Sequence, residues 1–555
     1  MKTGGQILIE QLAAEGVRHI FTVPGESFLA VLDALHGSSA IAPITCRNEA
    51  GAAMMAEATG KLLGRPGIAL VTRGPGAANA MAGLYIARQD ATAMILLVGL
   101  PPSSQAGRPA FQAIDIGAVF GSLAKWTAVV PSPARIVDHV QRAYKIAMSG
   151  RPGPVVLGLP EDLLFEVTPQ GALAAAEIDV LEPSAARIAT LHFLLEGAER
   201  PLVIVGGAPW SAEAAGHLAA FAERFDLPVI TSFRRQDHLD NRHRCYAGHA
   251  GLAMEPHIAT ALKGCDLLIA LGDSLGDVST RGFTLLKPPV PSQKLVRIAP
   301  DPGVEGVYCA TLDVPASPVR AVKALASLVP SPKAPPWQIW RRDLRAAYEA
   351  SLRPRPTPGS VQLEEIVTKL SSLLPPDAIV CNGAGNYAAF LARYFTYKSY
   401  PSQLAPLSGS MGYGLPAAIA AKLACPDRTV VALAGDGCFQ MTALELATAV
   451  QFGLEIVIIV ANNRSLGTIR MHQERRYPGR VVATSLVNPD FVALALSMGA
   501  SGERVTETRQ FPGALGRAFG AGRPAVVELH LDTDALSPLE SIESIRTNGE
   551  KSPPQ

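Results

Sequence analysis

VVALAGDGCFQMTALELATAVQFGLEIVIIVANNRSLGTIR, residues 430–470, reads as a strand ending at Gly435-Asp436-Gly437, a helix over 441–452, a second strand running to Asn462-Asn463, and a turn closed by Gly467. A β-branched apolar run that enters a Gly/Asn turn and then a helical period is a βα unit with a buried parallel strand. Asp436 and Asn463 are 27 residues apart, yet successive βα units put each at the C-terminal end of its strand. That is the end at which open α/β sheets bind ligands. A carboxylate and an amide oxygen are hard ligands of the kind Mg²⁺ takes together with phosphate and water. Small residues at Gly435, Gly437 and Cys438 would let a diphosphate reach backbone N–H groups at the helix start. Alone, Gly-Asp-Gly is an ordinary strand-to-helix turn with the aspartate as a cap. The paired strands and the Asn-Asn at this distance favour the metal reading.

The same pattern recurs on either side. Short apolar runs stand at 68–72, 93–99 and 154–160, then at 201–207, 227–232, 267–272 and 294–299, and finally at 378–383, 429–435, 455–462 and 525–532. Each leads into turn residues and a helix-period segment, so the class is α/β, with three domains, each an open, mainly parallel sheet flanked by helices. A stretch rich in Ala, Glu and Pro at 167–184 and a proline-rich one at 330–360 read as linkers. The expected domains are therefore 1–165, 186–328 and 360–535, with a tail over 536–555 whose polar end, 548–555, should fray.

The length of 555 residues agrees with several domains at roughly 100–200 residues each. Lys+Arg 49 against Asp+Glu 48 gives a net charge of +1, which argues against a nucleic-acid partner bound through counterion release. Charged residues make 17% of the chain, below the roughly 25% typical of soluble domains, so large subunit interfaces are expected. The seven cysteines, at 46, 245, 265, 309, 381, 425 and 438, include no C-x-x-C pair; reduced thiols and a cytoplasmic location follow. The opening MKTGGQILIEQLAAEGV lacks a basic-then-apolar leader, and no uninterrupted apolar run approaches the ~18 residues of a membrane span. Neither export nor a membrane partner is expected.

With its spacing of 24 residues between GDG and NN, the 430–470 stretch resembles the thiamine diphosphate motif, and the chain is identified as a member of the acetolactate synthase-like branch of thiamine-diphosphate-dependent decarboxylases and carboligases. The resemblance runs along nearly the whole chain in family order: FTVPGESFLAVLDAL at 21–35, CRNEAGAAMMAEATGKLLGRPGIALVTRGPGAANA at 46–80, RPAFQAID at 108–115, AKWTAVV at 124–130, RPGPVVLGLPEDL at 151–163, NGAGNYAAF at 382–390 and LSGSMGYGLPAAIAAK at 407–422. It implies an N-terminal pyrimidine-binding domain, a central domain and a C-terminal domain for the diphosphate and Mg²⁺. It implies that Glu49 hydrogen-bonds N1′ of the aminopyrimidine, so that N4′ takes the C2 proton of the thiazolium and leaves the nucleophilic ylide. That role requires a carboxyl in a dry pocket. Thr72 and Asn79 belong to the same cofactor-binding block. Met411 would be the apolar prop that holds the cofactor bent, with backbone at Gly409 and Met411 on the pyrimidine edge; a plain core methionine is the other reading. Backbone around Asn386 and Tyr387 would meet the diphosphate, next to Leu466 and Gly467. Asp436, Asn463 and the Ser465 carbonyl would complete the protein ligands of Mg²⁺. In the family the glutamate and the aspartate come from different subunits, which implies a homodimer or homotetramer with active sites at the subunit interface.

The substrate is less determined. Where acetolactate synthases read NN-x-x-Q-G-M and a Trp four residues on, this chain has Asn462-Asn463-Arg464-Ser465-Leu466-Gly467-Thr468 and His472. Where they have a G-A-R-F-D-D-R type segment that helps hold FAD, it has Gly272-Asp273-Ser274-Leu275-Gly276-Asp277. FAD is therefore disfavoured, and the Gly206-Gly207 turn reads as structural in preference to nucleotide-binding. No two histidines are adjacent, against the proton-delivering pair of pyruvate decarboxylases. Glu26, with Ser27, either faces the substrate and protonates an intermediate or only caps a helix over 27–35. Gln112 matches a glutamine that reaches the active site in carboligases, where it could orient the acceptor carbonyl. Arg470 is either a bidentate carboxylate partner or a solvated side chain. The expected activity is decarboxylation of a 2-oxoacid, or C–C cleavage of an aldehyde donor, with carboligation to an acceptor carbonyl. The alternatives are a 2-oxoacid decarboxylase and an aldehyde lyase of the benzaldehyde-lyase type. With Glu49, Asp436 and Asn463 all present, a cofactor-binding paralogue without activity is not expected.

Overall fold

A computed structural model describes residues 1–301 and 307–551. Met1–Asp179, with Ile419–Pro426 and Ala447–Phe452, forms one compact unit; the described residues of Val180–Ala418, Asp427–Leu446 and Gly453–Gln555 form a second. The first unit opens on strand β1 (Lys2–Thr3) and holds β2 (His19–Thr22), β3 (Ala42–Thr45), β4 (Gly67–Val71), β5 (Met94–Leu100), β6 (Trp126–Val129) and β7 (Pro154–Pro160). These last six make one sheet in the order β3-β2-β4-β5-β7-β6, parallel throughout. β8 (Val167–Thr168) returns antiparallel to β1.

The second unit carries two sheets. β9 (Pro201–Val205), β10 (Val229–Ser232), β11 (Tyr246–Ala250), β12 (Leu267–Leu271), β13 (Lys294–Ala299) and β14 (Leu312–Pro315) run in the order β11-β10-β9-β12-β13-β14, the doubly wound arrangement. β15 (Ile379–Asn382), β16 (Gln403–Leu404), β17 (Val430–Gly435), β18 (Val457–Asn462), β19 (Ser501–Val505) and β20 (Ala525–His530) run β16-β15-β17-β18-β20-β19, repeating the topology of the first sheet. The α/β class with three parallel sheets is thus the one that the sequence predicts. β4, β5, β7, β9 and β12 are buried at every position, because helices cover both faces and each strand must be apolar on both sides.

Every apolar run read from the sequence is a strand, its ends displaced by a residue or two where they differ. The strands that the runs do not reveal are the two-residue strands β1 and β8, then β2, and the six at the edges of the larger sheets, β3, β6, β11, β14, β16 and β19. Most edge strands are short and half solvated, as in β3 and β6, so they lack a continuous apolar signature.

Two expected segments need correction. The second linker, 330–360, contains the helix Gln338–Ser351. Trp337, Trp340, Leu344 and Tyr348 recur at helical spacing, and flanking prolines hide the pattern. The two indole N–H groups donate to the carbonyls of Phe225 and Pro201, each at 3.0 Å. Tyr348 is buried edge-on against Tyr246, with ring centroids 4.9 Å apart. Tyr348→Ala should cost about 3 kcal/mol, read as a lower urea midpoint for the transition of this unit. The tail is also anchored: the helix Ile542–Lys551 places Arg546 on buried Glu474 at 2.6 and 2.9 Å. A Cβ on Gly549 would lie 2.4 Å from the Arg475 carbonyl oxygen, so the helix seats closely. Of the stretch expected to fray, residues 552–555 lie outside the described residues.

Candidate active site

In the third sheet, β17 ends at Gly435 and the chain enters the helix Asp436–Gln440 at once. The single helix expected over 441–452 is not there. A turn follows Gln440, in which the Thr442 hydroxyl donates to the Gly412 carbonyl at 2.6 Å, and the helix Glu445–Gln451 starts anew. Anchoring Thr442 to a neighbouring loop diverts the helix axis after one turn. Beyond β18, Arg464 takes a left-handed φ of 55°, and the Ser465 N–H turns back to Asn463 Oδ1 at 3.2 Å. Leu466 N–H donates to Thr484 O at 2.8 Å and Leu486 N–H to Arg464 O at 2.9 Å, fixing this loop against the segment that follows it.

These turns bring Asp436, Asn463 and Ser465 to one cavity of about 260 Å³, where Gly435, Gly437 and Cys438 form part of the wall. Asn386, Tyr387, Gly409 and Met411 also line it, as do Leu466 and Gly467. All the residues expected at the diphosphate end therefore converge. The helices Tyr387–Tyr394 and Gly467–Arg476 both begin here, so free N–H groups and two helix dipoles favour an anion. Asn386 is oriented from both ends: it accepts from the Thr468 hydroxyl at 2.8 Å and donates to Leu536 O at 2.5 Å.

Asp436 is buried, and burial raises its pKa. Hydrogen bonds from Asn488, Gly437, Arg464 and Ser465 pull in the other direction. Asn488 Nδ2 lies 2.7 Å from Asp436 Oδ2 and 2.9 Å from Asn462 Oδ1. Asn462 in turn donates to Glu528 at 2.8 Å, and Arg504 Nε donates to the other Glu528 oxygen at 3.0 Å. A relay thus runs from the candidate metal ligand to Arg504. Asn488 and Glu528 are not among the residues expected from the sequence. The signal for Glu528 is an acid inside an otherwise apolar strand run, AVVELH, since carboxylates are seldom buried unpaired. Asn488 precedes a helix cap and carries no signal of its own.

Among the described residues no three His, Cys, Asp or Glu side chains gather as a metal site. One buried carboxylate, one amide oxygen and a backbone carbonyl form instead a partial set of hard oxygens, suited to a cation that takes its remaining ligands from phosphate and water. The residues present fit Mg²⁺ on that ground. Arg470 is neither free to bind a carboxylate nor solvated: it donates to Thr533 O at 2.8 Å and pairs with Asp534 at 2.6 Å. His472 is exposed.

In the first unit the strand order reverses between β2 and β4, the position of a ligand crevice. Ser27, beyond β2, and Thr72, beyond β4, share a hydrogen bond of 3.0 Å. Glu49 opens the helix Glu49–Leu63, capped by Asn48, and is only 9% exposed. It caps nothing; Asn79 Nδ2 donates to it at 2.9 Å. A Cβ on Gly76 would lie 3.1 Å from Glu49 Oε1 and 2.9 Å from Thr72 Cγ2, so that glycine leaves one oxygen of the carboxylate uncovered by side chain. Glu49, Thr72 and Asn79 come together as expected, with Ser27 beside Thr72.

Glu26 and Gln112 are exposed. The helix expected over 27–35 is a 3₁₀ turn, Glu26–Phe28, followed by Leu29–His36, and no side chain caps either. The capping alternative for Glu26 is corrected: its carboxylate makes no such bond. Gln112 has a φ of 56°, and its carbonyl accepts from Gly74 N–H at 2.9 Å. That bond ties the loop to the helix Gly74–Asn79.

In the central sheet a Cβ on Gly207 would lie 2.1 Å from the Gly272 carbonyl oxygen, and one on Gly206 would lie 2.1 Å from Ser232 Oγ. Asp273 is buried beside them, accepting from Leu275 N–H at 2.6 Å, and burial raises its pKa. The glycines therefore serve the close approach of two turns. No helix among the described residues is long and apolar enough to cross a membrane.

Comparison with known proteins adds three family matches in this chain order. Residues 2–119 match the thiamine pyrophosphate enzyme N-terminal TPP binding domain, 188–325 its central domain and 383–529 its C-terminal TPP binding domain. The acetolactate synthase large subunit of Parasynechococcus marenigrum is 31% identical over 545 residues, 95% of this chain and 87% of that protein. That of Corynebacterium glutamicum is 31% identical over 96% of this chain and 87% of that protein. The mitochondrial acetolactate synthase catalytic subunit of Saccharomyces cerevisiae is 29% identical over 96% and 81%.

Proposed function

The chain belongs to the thiamine pyrophosphate enzyme family, in its acetolactate synthase-like branch, and from that premise we propose that it decarboxylates a 2-oxoacid, or cleaves an aldehyde donor, and joins the fragment to an acceptor carbonyl. The observation that carries this reading is the convergence of Asp436, Asn463 and Ser465 with Asn386 and Met411 on one cavity. When bound, thiamine diphosphate supplies a carbon nucleophile and a sink for the electron pair that the leaving group leaves behind.

The residues of the chain do the rest. Asp436, Asn463 and the Ser465 carbonyl hold Mg²⁺, and N–H groups at the starts of the Tyr387 and Gly467 helices receive the diphosphate. Met411, with Gly409 beside it, supports the pyrimidine. Glu49, held by Asn79, keeps or gives a proton at N1′ of that ring; its burial supports the role, because a carboxyl shielded from water exchanges protons with its partner instead of with solvent. Gln112 orients the acceptor carbonyl. Glu26 is the observation that favours a second reading: exposed and without a capping bond, its carboxyl is available to protonate a fragment that leaves as a simple aldehyde, the outcome of a decarboxylase or lyase.

The packing of Gly206 and Gly207 against Ser232 and Gly272 supports a structural turn there; that FAD is disfavoured rests on the sequence of residues 272–277. The boundaries 1–165, 186–328 and 360–535 belong to the same reading, as do a homodimer or homotetramer with the active site shared between subunits, and a cytoplasmic location. All seven cysteines are free.

The test follows CO₂ and carbon products from a panel of 2-oxoacids, with and without aldehyde or ketone acceptors. Ligated product is expected with an added acceptor, and without one only where the keto group of the 2-oxoacid itself serves as the acceptor carbonyl. Quantitative release of simple aldehyde, with no ligated product under any pairing, overturns the carboligase reading in favour of the second.

A further inference from the structure

Three glycines make room for one tyrosine in the crevice of the third sheet. A Cβ on Gly385 or Gly435 would lie 2.7 or 2.9 Å from the Tyr387 ring, and one on Gly383 would lie 2.5 Å from Cys438 Sγ. The ring is thereby sandwiched between the loops that follow β15 and β17, and its hydroxyl donates to Cys438 Sγ at 3.2 Å. The same sulfur accepts the Gly412 N–H at 3.2 Å. Gly412 follows Met411 directly and has a φ of 83°; its carbonyl is held by Thr442. On the far side, Arg234 Nη2 donates to Gly383 O at 2.9 Å, and its other terminal nitrogen donates to Pro406 O. Burial lifts the Tyr387 phenol well above its ordinary range, so it remains a donor at any working pH.

We propose that Tyr387 is a positioning residue: through Cys438 it pins Gly412 and so fixes where Met411 stands against the cofactor pyrimidine. This rests on the function proposed above, and extends it from the backbone near Tyr387 to the side chain. Neither the Tyr387 hydroxyl nor Cys438 Sγ reacts. Their effect is on how often the pyrimidine amino group is held near the carbon whose proton it removes, which bears on reaction geometry more than on affinity.

Two measurements on the whole protein test it. In the cofactor-free protein, Tyr387→Phe should raise the rate of amide hydrogen exchange at Gly412, whose N–H donates to Cys438 Sγ, about tenfold, as expected when a hydrogen-bonded tie of that size is lost; the Ala434 amide inside β17 serves as the internal reference. In the holoenzyme the same variant should slow hydrogen–deuterium exchange at C2 about tenfold, while the cofactor Kd moves by less than about twofold. Cys438→Ser, which keeps an acceptor at the centre of the tie, should exchange faster than Cys438→Ala. Wild-type amide exchange at Gly412 in Tyr387→Phe overturns the tie. Wild-type exchange at full occupancy, or affinity falling in step with exchange, overturns the action through Met411. Fast exchange in Glu49→Gln would instead bring down the function on which this rests, so the two failures are distinguishable.

Discussion

Glu49→Gln should slow hydrogen–deuterium exchange at C2 of bound thiamine diphosphate by about 10²–10⁴-fold, the range over which a positioned acid–base group acts, with cofactor affinity nearly unchanged. Glutamine keeps the size of the side chain and can still accept from Asn79, which lies 2.9 Å from the carboxylate. What it loses is the capacity to hold or release a proton opposite the ring. The site should therefore stay built and become chemically silent. Exchange is followed by quenching the holoenzyme at timed intervals and reading the C2 proton by NMR. Fast exchange in the variant removes Glu49 from the role proposed here and with it the strongest link between the first unit and the reaction.

Asp436→Ala acts on a different step. Removing the one buried carboxylate of the candidate metal set should weaken Mg²⁺-dependent cofactor binding by at least about 100-fold, and Asn488→Ala, which leaves that carboxylate in place but removes its 2.7 Å hydrogen bond along with the bonds of Asn488 to Asn462 and Gln440, by about 10–100-fold, the range found for groups that orient a metal ligand. Titration calorimetry with and without Mg²⁺ reads both. Equal affinity in Asp436→Ala and the wild type overturns the metal role. Acidity should mimic the substitution: burial raises the pKa of this carboxyl, so its charged form fades as pH falls toward that raised value and the proton displaces the cation. Metal-dependent affinity should therefore decline at a higher pH than an exposed aspartate would dictate.

Much of the site was legible in the linear chain because its geometry is largely local. Gly435, Asp436 and Gly437 must lie at the end of a strand, since the apolar run before them is long enough only to cross a sheet, and Asn463 must do the same one βα unit later. Parallel pairing of β17 with β18 then brings the two ends side by side. The uninterrupted β-branched runs likewise announce the interior strands, which need apolar side chains on both faces.

Other features depend on partners far away in sequence. The helix expected over 441–452 breaks because Thr442 reaches Gly412, a residue on another loop. Arg470 is consumed by Asp534, more than sixty residues downstream. Asn488 touches Asp436 only because the 484–486 segment pairs with the metal loop. The helix Gln338–Ser351 lay hidden because prolines around it resemble those of a linker, while its tryptophans reach partners in β9 and at Phe225. Residues within one βα unit are placed by covalent connection and by the strand–turn–helix period, so composition and spacing suffice to locate them. Side-chain partners across loops are chosen by packing, where burial leaves every polar group in need of a mate, and that choice exists only once the sheets have formed.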